Sequence, residues 1–336
     1  MTSNTMSDAT IEFDVLAIGN ALVDVLSQES DSFLDDHSLV KGSMTLIDAL
    51  HAEALYDAMG PGIEVSGGSA ANTTVGVSSF GGRSAFIGRV KDDQLGAVFA
   101  HDIRAAGVHY STPATKNGPP SGRCLILVTP DAQRTMATFL GSSSFLTPDD
   151  VDPSLVQRSA ITYLEGYLWD EPAAKAAFIY AANLAHEAGR RVALTLSDAF
   201  VVDRHRREFL DLVSGHIDLL FANEVEICSL YETEDFDEAL QSVSGHCEVA
   251  ALTRSEKGCV IVSSDEVHII EAAPASCVED TTGAGDLFAA GFLYGFTHGY
   301  DLSVCGHLGA LAALEVIGHM GARPVVSLAE LAAPLL

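Results

Sequence analysis

Residues 191–253 open with the run Arg191-Val-Ala-Leu-Thr-Leu196 and pass through a helical pattern from Arg204 to Ser214. They return to a short apolar run at Leu219-Leu-Phe-Ala222, enter a second helical pattern from Asp235 to Ser242, and end on Val249-Ala-Ala-Leu-Thr253. Short β-branched and Leu-rich runs alternating with helical periodicity at this spacing predict strand–helix–strand units, and hence a mostly parallel sheet with helices on both faces. The pattern extends outward. Strand-like runs recur at Phe13–Ile18, Ser84–Ile87, Arg123–Val128, Ala160–Leu164 and Cys259–Val262, and an Ala-rich helical stretch runs from Glu171 to Ala188 before Gly189. The expected fold class is therefore α/β, and in such sheets ligands bind at the carboxyl ends of the strands.

Two segments lack helical periodicity, roughly residues 26–47 and 109–140. The second carries apolar runs at Cys124–Thr129 and Thr135–Leu140, joined through Pro130-Asp131, which reads as a hairpin. The reading is a body of residues 11–25, 48–108 and 141–336 with a small β lid of 26–47 and 109–140.

Composition removes several classes of function. The chain has 336 residues, 48% of them hydrophobic, enough for a sizeable core. Its 46 Asp and Glu against 18 Lys and Arg give a formal charge of −28, which repels nucleic acid and anionic membrane surfaces. None of the six cysteines has the C-x-x-C spacing of a metal or redox site. Met1 to Thr10 is polar, without the apolar core of a secretory signal, and no apolar run is long enough to span a bilayer. The expectation is a cytoplasmic protein acting on a small molecule.

Chemistry concentrates in Asp280-Thr-Thr-Gly-Ala-Gly-Asp286, followed by the helical run 287–295. A Gly-rich turn feeding a helix N-terminus aims the amides of Gly283, Ala284 and Gly285 at one spot and binds an anion there. Asp286 has two readings: the N-cap of that helix, or the base that receives a hydroxyl proton beside the anion. The stretch is neither a Walker loop, since no Lys follows, nor a dinucleotide fingerprint after the first strand.

With Asp280–Asp286 and Gly67-Gly68-Ser-Ala-Ala-Asn72-Thr-Thr, followed by Gly81-Gly82, the chain resembles the ribokinase-like (PfkB) kinases over about residues 15–324. The resemblance implies a three-layer α/β/α body with a small β lid over the acceptor, and ATP with Mg2+ as donor. In parts of the family a monovalent cation such as K+ also takes part. It implies Asp286 as catalytic base and the amides of Gly283, Ala284 and Gly285 as the anion hole, with Thr282 beside the nucleotide. Asn223-Glu-Val-Glu226 resembles the family's Asn-x-x-Glu motif, so Asn223 and Glu226 would organise Mg2+ through water; their other reading is a helix cap and a solvated face. Thr253-Arg254-Ser-Glu-Lys-Gly258 resembles the turn that lines the nucleotide, with Arg254 either a phosphate neighbour or a surface cation.

The acceptor end resembles the adenosine kinase branch. Gly19-Asn20-Ala-Leu-Val-Asp24 is similar to that branch's opening, with Ala21 in place of Pro, and Asp24 would accept bonds from two vicinal hydroxyls. Asn20, Gly67, Gly68 and Asn72 would complete the acceptor site, and Leu39–Leu46 would supply a wall. Gln133-Arg134 and its lid strand are similar to the stretch whose arginine reaches the phosphates on closure. Tyr167, or the sole Trp169, would stack on a base. In Thr195-Leu-Ser197-Asp198-Ala-Phe200, the residues Thr195, Asp198 and Ala199 depart from the branch pattern. A nucleoside kinase acting on adenosine is thus the first expectation and a sugar kinase the second. A ligand-binding member without turnover and a NAD-dependent oxidoreductase are the remote ones. A monomer and a homodimer are equally open.

Overall fold

Both faces of β1 (Phe13–Ile18) are buried, as its unbroken apolar run requires. Because successive side chains point to opposite faces, Val15 and Ala17 join one core while Leu16 and Ile18 join the other. A computed structural model describes residues 10–131 and 133–336 of the chain; the polar leader, except for Thr10, lies outside the described residues.

The large sheet has nine strands. Outward from β1 on one side run β5 (Ser84–Ile87) and β6 (His109–Tyr110). On the other side run β9 (Ser159–Glu165), β10 (Arg191–Thr195), β11 (Leu219–Asn223) and β12 (Val249–Thr253), all parallel to β1. The antiparallel strands β13 (Cys259–Ser263) and β14 (Val267–Ile270) finish that edge. The helices Pro172–Glu187 and Ala199–His216 cover one face. The helices Ser69–Ser79, Ala284–Thr297 and Leu302–Val316 cover the other.

A second sheet has the order β3 (Met44–Leu46), β8 (Arg134–Phe139), β7 (Gly122–Val128), β2 (Leu22–Gln28) and β4 (Ile63–Gly67). The expected hairpin is β7–β8, with Ile126 opposite Met136. Its partners correct the boundaries read from sequence. The small sheet takes in residues 22–25 of β2 and β4 at 63–67, both assigned above to the body, while His109–Tyr110, assigned to the lid, belongs to the large sheet. The reason is long-range pairing: β2 lies parallel to β7, a hundred residues on, and β4 closes onto β2.

Two close helix contacts set the position of Ala284–Thr297. A Cβ on Gly76 would sit 2.5 Å from that of Ala290, and one on Gly291 would sit 2.4 Å from the carbonyl oxygen of Leu308. Ala is favoured over Gly by about 1 kcal/mol in a free helix. Here the clash is with backbone, so Gly291→Ala is expected to lower unfolding free energy by about 1–3 kcal/mol in urea titration; a rise in stability would show that the two helices can separate at no cost.

Candidate active site

The helix Ala284–Thr297 starts from Gly283, whose φ of +81° lies in the left-handed region, and a Cβ there would stand 2.8 Å from Ala322. Only glycine meets both conditions. No side chain caps this helix, and Thr281, Thr282, Gly283, Gly285 and Asp286 line a cleft of about 740 Å³. The positive end of the helix dipole therefore opens into the cleft. Ala284 departs from the expected anion hole: it does not line the cleft, and its N–H donates to the carbonyl of Thr281 at 3.2 Å.

Asp286 is the third residue of the helix, so the N-cap reading fails. Its carboxylate is held from another helix. Ser69 Oγ donates to it at 2.6 Å and Asn72 Nδ2 at 3.1 Å. Burial pushes its pKa up to about 6, against the pull of these two bonds, which suits a base working near neutral pH.

Asp24, on β2, also lines the cleft. Burial raises its pKa to about 7, with Arg323 pulling it down and Asp286 pushing it up. A Cβ on Gly67 would lie 2.3 Å from the Asp24 carboxylate, so the strand beside it must carry no side chain there. Asn20, Gly68 and Asn72 line the same wall.

Glu165 was not legible as a site residue. It ends β9 and lines the cleft, accepting from Asn20 Nδ2 at 2.7 Å and from the Ala70 N–H at 2.9 Å, and burial raises its pKa to about 7. It fixes Asn20 and the start of the Ser69–Ser79 helix together. The one sequence signal was a carboxylate closing an otherwise apolar strand.

Beyond Asp24 the lid face is apolar. Register places Asp24 beside Cys124 and Cys124 opposite Thr138, with Ile126, Met136 and Met44 in the next row. Met44, Leu46, Tyr167 and Phe200 line the same cleft; Phe200 is 76% exposed. Burial holds the Tyr167 phenol above its ordinary range. Trp169 is core, packed on Phe178 and Phe209 and donating from Nε1 to Glu208 at 2.9 Å, so of these two candidates it is Tyr167 that reaches the cleft.

Asn223, Glu226 and Thr253 line the cleft at the carboxyl ends of β11 and β12. Asn223 and Glu226 form a reciprocal capping box at the start of the helix Glu224–Tyr231, with Asn223 Nδ2 also donating to Glu226 at 2.6 Å. Arg254 is not brought in. Its guanidinium pairs with Glu224 at 2.9 Å and lies 3.9 Å over the Phe236 ring, and Lys257 shares Glu224. Gly258 serves the turn into β13, its Cβ position filled by the Ile270 carbonyl. Arg134 likewise stands outside the cleft lining: Nη1 pairs with Asp280 at 2.6 Å with both side chains nearly buried. Asp280 also accepts from the N–H groups of Thr282 and Gly321, so Arg134 is tied to the root of the anion-hole loop.

A buried carboxylate of raised pKa, an uncapped helix N-terminus and a buried carboxylate–amide pair in one cleft are the parts a phosphoryl-transfer site needs. A protein-family model for pfkB family carbohydrate kinases matches residues 62–328, and the chain belongs to that family of phosphotransferases acting on an alcohol group. Among solved structures, a probable sugar kinase protein from Rhizobium etli CFN 42 is 51% identical, with a TM-score of 0.91 over 97% of this chain and 100% of that one. The adenosine kinase from Sinorhizobium meliloti is 52% identical, with a TM-score of 0.89 over 96% and 99% of the two chains. The adenosine kinase of Saccharomyces cerevisiae is 27% identical over 90% of this chain and 94% of its own.

A carboxylate serves as a base or a diol acceptor only when ionised, and the pKa values of Asp24 and Asp286 are raised, so an activity that uses them is lost as pH falls through them. kcat/KM is expected to climb from about pH 5 and level off above about pH 8, with a slope above one where Asp24 and Asp286 titrate together. A profile flat down to pH 5 would contradict the assignment of these groups.

Proposed function

We propose that the chain transfers the γ-phosphoryl group of ATP to the 5′-hydroxyl of adenosine, yielding AMP. The observation that carries the choice of acceptor is the apolar lid slot of Cys124, Ile126 and Met136 beside Asp24, in a cleft that Tyr167 and Phe200 also line. A nucleoside presents a cis-diol and a flat base side by side; a free sugar has no use for the slot. Asp24 clamps the diol, the slot takes the base, and the primary hydroxyl is left facing Asp286 and the helix N-terminus. The S. meliloti enzyme's name agrees with this reading, while that of the R. etli protein keeps a sugar acceptor as the alternative.

Asp286 takes the hydroxyl proton as the oxygen attacks the γ-phosphorus, and the Thr282–Gly285 turn faces the charge on the transferring group. The cleft itself is strongly negative. Six carboxylates line it (Asp24, Glu165, Asp170, Asp198, Glu226 and Asp286), and among the described lining residues Arg204 is the one Lys or Arg, paired with Asp170 at 2.7 Å. Glu226 is 6% exposed, its pKa raised to about 7, bonded to Asn223 and neighboured by the like charge of Asp198. An uncompensated carboxylate of this kind suits a hydrated divalent cation, so Asn223 and Glu226 would hold Mg2+ through water, and the ion would neutralise ATP's phosphates when bound. Arg134 would turn from Asp280 to the phosphates as the lid closes. None of the described helices is long and apolar enough to cross a membrane, and ATP as donor supports a cytoplasmic setting.

ATP consumption measured with adenosine, inosine, guanosine, ribose and fructose is expected to be fastest at low concentration with adenosine. Faster turnover of either sugar would overturn the acceptor assignment. Asp286→Asn is expected to lower kcat by about 10³-fold or more while calorimetry finds adenosine affinity within a few-fold of wild type; retained turnover would remove Asp286 as the base.

A further inference from the structure

Arg323 belongs to none of the motifs read above, yet it stands behind both halves of the acceptor site. It lies on the segment after the helix Leu302–Val316, two residues past Gly321, whose N–H is bound to Asp280. Its side chain is 14% exposed. Nε donates to Asn72 Oδ1 at 3.3 Å, and Nη1 pairs with Asp102 Oδ2 at 3.0 Å. Asp102 in turn accepts from the Ser66 N–H at 2.8 Å and from Ser66 Oγ at 2.5 Å, and Ser66 sits in β4 beside the Asp24 strand. Asp24 and Asp102 are the opposite charges acting on Arg323, whose Nη2 is buried without a hydrogen-bond partner.

We propose that Arg323 is a positioning residue that fixes the Asn72 amide with its N–H toward Asp286 and supplies the counter-charge for Asp24. The argument is one of donor and acceptor identity. Guanidinium donates and never accepts, and an ionised carboxylate accepts and never donates. An amide held between the two has one satisfied orientation, Oδ1 on Arg323 and Nδ2 on Asp286. A donor on Oδ1 also polarises the amide and strengthens the bond that Nδ2 gives to Asp286. The same positive charge opposes the burial that keeps Asp24 from ionising. One side chain thus holds the base's partner in place and favours the form of Asp24 that a diol needs. The other titratable groups facing this pair are Glu165 and Tyr163 on β9, Tyr167 just beyond it, Cys124 on β7 and Arg134 on β8.

This rests on Asp286 being the base, and its test keeps the two ideas apart by using Asp286→Asn alongside, with whichever acceptor the wild type turns over best. In Arg323→Met, the acid limb of kcat/KM is expected to move up by about one pH unit and the acceptor's KM to rise about tenfold or more. Arg323→Lys keeps the charge but not the forked contact with Asn72 and Asp102. It is expected to restore most of the KM while kcat stays depressed. A purely structural role would lower melting temperature and leave the pH limb and KM of the folded fraction unmoved; that result would overturn the proposal. If Arg323→Met does not fold, Arg323→Lys decides: wild-type kcat and KM together would overturn it. An active Asp286→Asn would instead sink the base assignment itself.

Discussion

Two helix N-termini meet at Asp286, and the rest of the site depends on how closely they approach. The helix Ser69–Ser79 brings Ser69 and Asn72 to the carboxylate, and the helix Ala284–Thr297 carries the carboxylate itself. Gly76 lets them touch, since any larger residue would run into Ala290 and Leu287. Both segments come from distant parts of the chain, so this arrangement of the Asp286 carboxylate exists only in the folded state. Its hydrogen bonds keep it ionisable in surroundings that would otherwise hold it neutral.

The charge of the site follows a consistent division. The arginines nearest the motifs are already engaged by carboxylates: Arg134 with Asp280, Arg254 with Glu224, Arg323 with Asp102. They stiffen the frame around the cleft. The cleft wall is carboxylate-rich, and the N-terminus of an uncapped helix opens into it. A chain of formal charge −28 can therefore accept a polyanion only with a cation accompanying it. Burial raises several wall carboxylates to pKa values near neutral.

Much of the fold could be read in the chain because parallel strands buried on both faces leave unbroken apolar runs. Ser84–Ile87 and Val249–Thr253 coincide with β5 and β12. The small sheet was less legible. Met44–Leu46 is three exposed residues, Ile63–Gly67 is only five residues directly after Gly60-Pro61-Gly62, and β2 declares its sheet only by pairing with β7. The same contrast holds for the site. Asp24, Asn72, Gly283 and Asp286 sit in motifs with a mechanical meaning and converge on one cleft. Glu165 and Arg323 are single residues whose roles come from what lies across from them, Asn20 in one case and Asn72 in the other. Arg254 illustrates the reverse: a cation at a plausible spacing was taken up by Glu224 and the face of Phe236.

The central claim is that Asp24 and Asp286 hold two ends of one acceptor. A crystal structure with ADP, Mg2+ and adenosine tests it directly. The account predicts both ribose hydroxyls on the Asp24 carboxylate and the 5′-oxygen about 2.6–3.2 Å from that of Asp286. Adenosine bound with its 5′-oxygen turned away from Asp286, or with its diol off Asp24, would contradict it.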